Sequence, residues 1–221
     1  KVINIESQEE TYIRTILNFS YRKGYTRLII NYKDEEQFRM VLQSIQNNMI
    51  GFEVSKTEPG RCVLESIAEP TEDKFETILR RCFLIVRECL LLLKDDLKSG
   101  NLTNMNYVVR QVHKETQYDN FCKRNLYLKK FSTESPFEYW TLLTYLVLIA
   151  HSIKHAYYYL ERQGKENAGK KRAKKGKAEK DQQDIAGIKA SEPVIGYMDE
   201  LIKLYDMLSD SAFKPHQGKV E

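Results

Sequence analysis

The sequence predicts an α+β fold, in which a small βαβαββ domain at residues 1–68 is followed by an antiparallel helical bundle at residues 70–213. Three observations predict it. Short apolar runs with strand character alternate with helix-period segments in the first part. A Pro59-Gly60 pair separates the last two of these runs, as in a tight turn. From Pro70 onward, only helical periodicity continues.

Capping signals place the two helices of the first domain. Ser7 stands three residues before Glu10, and Asp34 stands three residues before Gln37, so each pair predicts a capping box at a helix start. The strand, helix, strand order implies a right-handed crossover and parallel pairing of the first two strands. Because the domain has no glycine-rich phosphate loop and no Ser/His/Asp or Cys/His grouping, we interpret it as a sensing or spacer domain without catalysis.

The second part is predicted to contain four helices. The first has its apolar period from Phe75 to Leu97 and is closed by Gly100. The second runs from Thr103 to Phe131. The third opens at Ser135-Pro136 and is apolar nearly all round from Tyr139 to Ala150, which predicts burial on several sides. A weaker fourth helix carries one apolar face, formed by Tyr197, Leu201, Leu204, Tyr205 and Leu208.

Most of the positive charge lies in one tract. Eight basic and two acidic residues lie between Lys165 and Lys180, so the rest of the chain has a net charge of −2 and no strong field for nucleic acid. We interpret residues 164–185 as a disordered basic loop. The alternative is weak, non-specific contact with DNA or another nucleic acid. That contact would use Lys170, Lys171, Arg172, Lys174 and Lys175.

Cysteine spacing and hydropathy bear on the cellular compartment. The four cysteines show no CxxC spacing and are predicted to be buried thiols, which suits a reducing cytoplasm. The longest apolar run, near Leu142 to Ala150, is too short to span a membrane, so no membrane insertion is expected. The chain opens on Lys1 without an initiator methionine, and we expect it to be a fragment of a longer protein.

The second helix of the bundle breaks its own apolar pattern. Continuing the spacing of its stripe from Val112 leads to Glu115 and Asp119, so two carboxylates are predicted to face the core one turn apart. A buried carboxylate is costly unless a cation lies beside it. Three counter-charges stay open: a metal, a lysine or an arginine.

The third helix offers both kinds of partner. His151 and His155 stand at i, i+4 on one helix face, a spacing that can hold a metal. Lys154 lies one turn from His151 and would instead neutralise the acids directly.

Three segments resemble the PhoU family of phosphate-uptake regulators. Arg80–Arg87 (RRCFLIVR) resembles the opening helix of archaeal-type PhoU domains, Glu115–Asp119 (ETQYD) matches the family's E/DxxxD motif, and Leu148–Ala156 (LIAHSIKHA) aligns with a second family motif. The resemblance implies a PhoU-like helical bundle that binds iron or zinc on its surface. The residue 1–68 unit is similar to the spacer behind an AbrB-like DNA-binding segment, which would lie upstream of Lys1.

The chain departs from the family in the second motif. Ala150 and Lys154 stand where the family has acids, and His155 is retained. One hypothesis is that Lys154 replaces the metal as counter-charge to the two acids. The rival hypothesis is a rebuilt metal site, which would use Glu115, Asp119, His151 and His155.

The resemblance implies a non-enzymatic regulator of phosphate uptake or phosphate signalling that acts through protein contacts. The expected partners are a phosphate transporter ATPase or a sensor kinase. Homodimerisation is expected too, since three consecutive tyrosines at 157–159 cannot all face one core. Two alternatives stay open: a transcriptional regulator whose DNA-binding segment lies upstream, and a metal-binding helical-bundle protein.

Overall fold

A computed structural model describes residues 1–68, 71–131, 133, 135–174 and 189–213. The strands are β1 (Val2–Asn4), β2 (Arg27–Asn31), β3 (Phe52–Glu58) and β4 (Arg61–Ser66). The helices are α1 (Glu10–Arg22), α2 (Glu35–Asn48), α3 (Glu72–Ser99), α4 (Met105–Tyr127), α5 (Pro136–Lys174) and α6 (Glu192–Phe213). The protein is therefore α+β, with a small N-terminal sheet followed by helices, as the sequence predicts.

The four strands form one sheet in the order β1-β2-β4-β3. β1 and β2 pair in parallel, which confirms the crossover prediction, and the other two pairings are antiparallel. Glu58 pairs with Arg61 across the two-residue turn between β3 and β4. Gly60 has φ +72°, so the predicted glycine position of this turn is confirmed.

Of the two predicted capping boxes, one forms. Asp34 Oδ1 accepts a 2.8 Å hydrogen bond from the Gln37 backbone N–H and thereby caps α2. The Gln37 side chain reaches back to the N–H of Lys33, at 2.8 Å. The box predicted at Ser7 is wrong. The Ser7 hydroxyl accepts from the N–H of Glu9 at 3.1 Å, inside a local turn, and α1 begins only after that turn.

The chain divides into two compact units, one comprising Lys1–Cys82 with His113–Leu148 and the other Phe83–Val112 with Ile149–Glu221. The sheet core of the first unit is formed by residues of the strands and of α1 and α2, among them Ile13, Leu17, Leu28, Ile30, Val41, Ile45 and Leu64. Buried residues of the second unit include Phe83, Val86, Leu90, Val108, Ile153, Ile195 and Ile202. The predicted domain boundary near residue 69 stays a prediction.

Helix α5 is less buried than its composition predicts. Leu143, Leu146 and Ala150 are fully buried, but Tyr145 is 61% exposed and Leu148 is 54% exposed. Burial on several sides is therefore wrong for this segment, because its apolar residues exceed what the core accommodates. Among the described helices, none combines the length and the apolar composition that crossing a membrane requires.

Helix α5 also corrects the interpretation of the basic tract. Its helical backbone continues to Lys174, so the first part of the predicted loop at 164–185 is helix. Lys165 contacts Glu161 at 2.7 Å, an i, i+4 pair that supports a helix at the surface. Lysine, alanine and glutamate are also good helix formers. Residues 175–185, including Lys175, lie outside the described residues.

Gly51 lies between α2 and β3, at a position where adding a single methyl group is expected to destabilise the fold. Gly51 has φ +77°, and a Cβ there would lie 2.8 Å from the backbone oxygen of Ala68. We expect Gly51→Ala to lower the free energy of unfolding by at least about 1–2 kcal/mol, measured by urea denaturation. The control is Gly196→Ala, which is helical with no atom within 4 Å and is expected to gain up to about 1 kcal/mol. Equal effects of the two substitutions would contradict this account.

Candidate functional site

Helix α4 carries a buried row of charged side chains in the first unit. Glu115, Asp119 and Lys123 follow one another at i, i+4 spacing, so they lie on one face of the helix. Glu115 is 0% exposed and Asp119 is 1% exposed, which confirms that both acids face the core. Lys123 is buried beside them at 4%. A helix places three ionisable side chains in a core only where packing and neighbouring charges offset the desolvation cost.

Two cations neutralise Asp119. The Lys123 ammonium lies 2.7 Å from Asp119 Oδ1, and Arg22 Nη2 of α1 lies 3.0 Å from Oδ2. Arg22 also donates from Nε to the Asn120 side-chain oxygen at 2.6 Å. The counter-charge is thus a lysine and an arginine of the same unit. Lys123 could have been found from its i+4 position, whereas no signal in the sequence points to Arg22, which is 97 residues away.

Glu115 is the anomalous member of the row. Both of its carboxyl oxygens are buried without a hydrogen-bond partner among the described residues. The pKa of Glu115 is raised to about 9, mainly by burial and also by the nearby Asp119, while Lys123 acts in the opposite direction. The carboxyl group is therefore protonated and neutral at neutral pH.

The other two members of the row, Asp119 and Lys123, shift each other's pKa. Burial raises the pKa of Asp119, while Lys123 and Arg22 lower it. Burial lowers the pKa of Lys123, while Asp119 raises it. The Lys123 ammonium also lies 5.3 Å from the centre of the Trp140 ring, within reach of a cation–π interaction.

Two thiols lie close to this row. Cys82 of α3 is hydrogen-bonded to Cys122 of α4, and this bond, together with burial, raises the pKa of Cys82 well above its usual range. All four cysteines are buried and free, so the prediction of buried thiols is confirmed. A protonated, buried thiol is a weak nucleophile and acts here as a packing group.

The neighbouring polar face of α4 caps two other helices. Arg124 Nη1 donates to the carbonyl oxygens of Tyr21 at 2.7 Å and Tyr25 at 3.1 Å, at the C-terminus of α1. Asn120 Nδ2 donates to the carbonyl oxygen of Asn48 at 3.1 Å, at the C-terminus of α2. Helix C-termini leave carbonyl groups without intrahelical partners and favour positive charge. The polar residues of α4 therefore fix the ends of α1 and α2.

A third buried acid, Asp96, lies in the second unit and is not predicted from the sequence. Asp96 is 2% exposed and accepts hydrogen bonds from the Asn104 N–H at 3.0 Å, from the Thr103 hydroxyl at 3.0 Å and from the Tyr157 hydroxyl at 3.0 Å. Burial raises the pKa of Tyr157, and Asp96 raises it further. Asp96 thus accepts from the backbone N–H that precedes α4, and because it does so from α3 no local capping pattern in the sequence identifies it.

The predicted metal ligands lie in different units. Glu115 and Asp119 belong to the first unit, whereas His151 and His155 belong to the second. In the described part of the chain, no group of three or more His, Cys, Asp or Glu residues is arranged to hold a metal ion. The iron or zinc site stays a prediction. So does the pairing of the acids with Lys154, which is also in the second unit.

The predicted nucleic-acid contacts fall at the end of α5. Lys170, Lys171, Arg172 and Lys174 belong to its helical backbone, whereas their side chains, like Lys175, lie outside the described residues. Nucleic-acid contact through these five residues stays a prediction.

Comparison with protein-family models, with curated proteins and with solved structures finds no match to this chain in any of the three.

Proposed function

We propose that the chain is a non-enzymatic regulator of phosphate uptake that acts by binding a protein partner. The resemblance of three segments to the PhoU family supports the phosphate part of this proposal. An open apolar cavity in the first unit, rimmed by exposed aromatic side chains, is the observation that carries the protein-binding part.

The cavity has a volume of about 220 Å³ and is lined by Leu126, Tyr127, Pro136, Phe137 and Trp140. Its wall is almost entirely apolar. Phe137 is 79% exposed and Tyr127 is 50% exposed. Aromatic residues that surround an apolar pocket are typical of the energetic centre of a protein interface. The cavity has room for one large apolar side chain of a partner.

Charge near the cavity indicates which segment fits. The Lys23 ammonium lies 5.4 Å from the centre of the Tyr127 ring. Lys129 and Lys130, both exposed, follow Tyr127 closely in the chain. The Lys23 ammonium beside Tyr127 favours a partner segment that carries an acidic residue near the inserted apolar side chain. We assign this segment to the ATPase subunit of a phosphate transporter.

The buried charges of α4 support the cavity from within. Asp119 holds Lys123 in an ion pair of 2.7 Å, and Lys123 lies against Trp140, which lines the cavity. Asp119, the second acid of the E/DxxxD motif, accordingly acts on this wall through Lys123.

The test is binding of the full chain to the ATPase subunit, measured by biolayer interferometry. We expect Phe137→Ala to weaken binding at least tenfold, about 1.4 kcal/mol, because it removes the most exposed aromatic wall of the cavity. Leu84→Ala is the control, since Leu84 is 63% exposed but belongs to the second unit. Equal affinities for the two variants, or absence of binding by the unsubstituted chain, would reject the proposal.

A further inference from the structure

Helix α6 is fixed to α3 along one face within the second unit. Ile195, Ile202 and Tyr205 are buried, and the Tyr205 hydroxyl donates to the Phe83 carbonyl oxygen at 2.9 Å. Two ion pairs add to this attachment, Arg87 with Asp206 at 2.7 Å and Lys94 with Asp199 at 2.6 Å. These contacts hold α6 in one orientation about its own axis. The same residues of α6 therefore always face away from α3.

The opposite face of α6 is a continuous apolar seam that no described residue covers. Its members are Val194 (43% exposed), Tyr197 (70%), Leu201 (47%), Leu204 (63%) and Leu208 (42%). Their spacing alternates between three and four residues, which is the 3.5-residue repeat of helices that pack along a shared seam. Met207, 67% exposed, widens the seam on one side. A monomer that exposes such a stripe leaves an uncompensated apolar surface in water.

We propose that this seam binds α6 of a second copy of the chain, antiparallel and about a twofold axis. In the register that matches the seam, Leu201 packs against Leu204 of the second copy, and Tyr197 packs against Leu208 of the second copy. Each of these layers occurs twice across the axis, because a twofold interface uses the same surface on both copies.

The exposed area is sufficient for a dimer. The five seam residues and Met207 together expose on the order of 600 Å² per copy, against roughly 800 Å² per partner in a standard interface and roughly 500 Å² at its lower bound. Neighbouring side chains at the margin of the seam supply the remainder. The area of the seam is therefore that of a protein–protein interface between two copies of the chain.

The first test is the mass of the full chain in solution, measured by sedimentation equilibrium. We expect a dimer at micromolar concentrations and at least a tenfold weaker association for Leu204→Glu. Leu84→Glu is the matched control, because Leu84 is also 63% exposed in the same unit but lies on α3. Circular dichroism should show equal helicity for both variants. A monomeric unsubstituted chain, or a dimer that Leu204→Glu leaves intact, would overturn the proposal.

The second test concerns the orientation. A mixture of the Tyr197→Cys and Leu208→Cys chains is expected to form a disulfide cross-link between the two variants under mild oxidation, because these positions face each other in the antiparallel register. The native cysteines are all buried and do not compete. Cross-linking of Tyr197→Cys with itself would instead exclude the antiparallel register. The proposal does not rest on phosphate regulation, because Leu204→Glu is expected to leave binding of the transporter ATPase unchanged.

Discussion

Replacing Asp119 by alanine is expected to lower the free energy of unfolding by about 3–5 kcal/mol. The substitution removes the carboxylate that pairs with Lys123 at 2.7 Å and with Arg22 at 3.0 Å. Lys123 would then remain as a buried cation without its closest counter-charge, and breaking a buried pair on one side costs this amount. The change is measured by urea denaturation at neutral pH. The midpoint of the transition should fall to a lower urea concentration, while the slope of the unfolding free energy against urea concentration stays the same.

The control for Asp119 is an exposed pair of the same unit. Glu10 and Arg14 form an i, i+4 pair at 3.6 Å with both side chains about half exposed. Glu10→Ala should therefore cost less than about 1 kcal/mol, as exposed pairs do. If Asp119→Ala and Glu10→Ala cost the same, the charged row on α4 contributes nothing beyond a surface pair.

The second large effect is on the pH dependence of stability. Burial raises the Glu115 pKa from its ordinary value of 4.5 to about 9. Between these two values the unfolded chain releases a proton that the folded chain keeps, so stability falls as pH rises, by up to about 1.4 kcal/mol per pH unit. Glu115→Gln has no proton to release, so this part of the decline should vanish.

The measurement compares the Glu115→Gln variant with the unsubstituted chain by urea denaturation at about pH 6 and about pH 8. From about pH 6 to about pH 8, the free energy of unfolding of the variant should rise by on the order of 2–3 kcal/mol relative to that of the unsubstituted chain. Any pH-independent cost of burying the amide cancels in the difference. Parallel stability curves would show that Glu115 is ionised in the folded state.

Local sequence signals account for most of the fold. The Asp34 cap, the Pro59-Gly60 turn and the order of the elements follow from short-range patterns, and the structure confirms each. The cap predicted at Ser7 does not form, because a serine serves a local turn as readily as a helix cap. Helix α5 extends further than the charge pattern predicts, because lysine and alanine have a high helix propensity.

The candidate site was predictable in part. Periodicity alone placed Glu115 and Asp119 in the core, and their burial is confirmed. The pairing of Asp119 with Arg22 could not be predicted, because a contact between residues 97 positions apart depends on tertiary packing that no local pattern encodes. The exposure of the apolar face on α6 could not be predicted from the sequence either. Periodicity identifies an apolar stripe but does not show whether the core covers it.

Because α4 caps the ends of α1 and α2, folding of the first unit depends on contacts between residues that are far apart in the chain. The contacts of Arg22 with Asn120 and of Arg124 with Tyr21 join residues 98 and 103 positions apart. Closing so long a loop costs entropy before the contacts repay it, and folding rates fall as contacting residues become more distant in the chain. A ribosome must therefore release α4 before the helices of the N-terminal sheet acquire their final caps, so this part of the protein completes its structure late in synthesis.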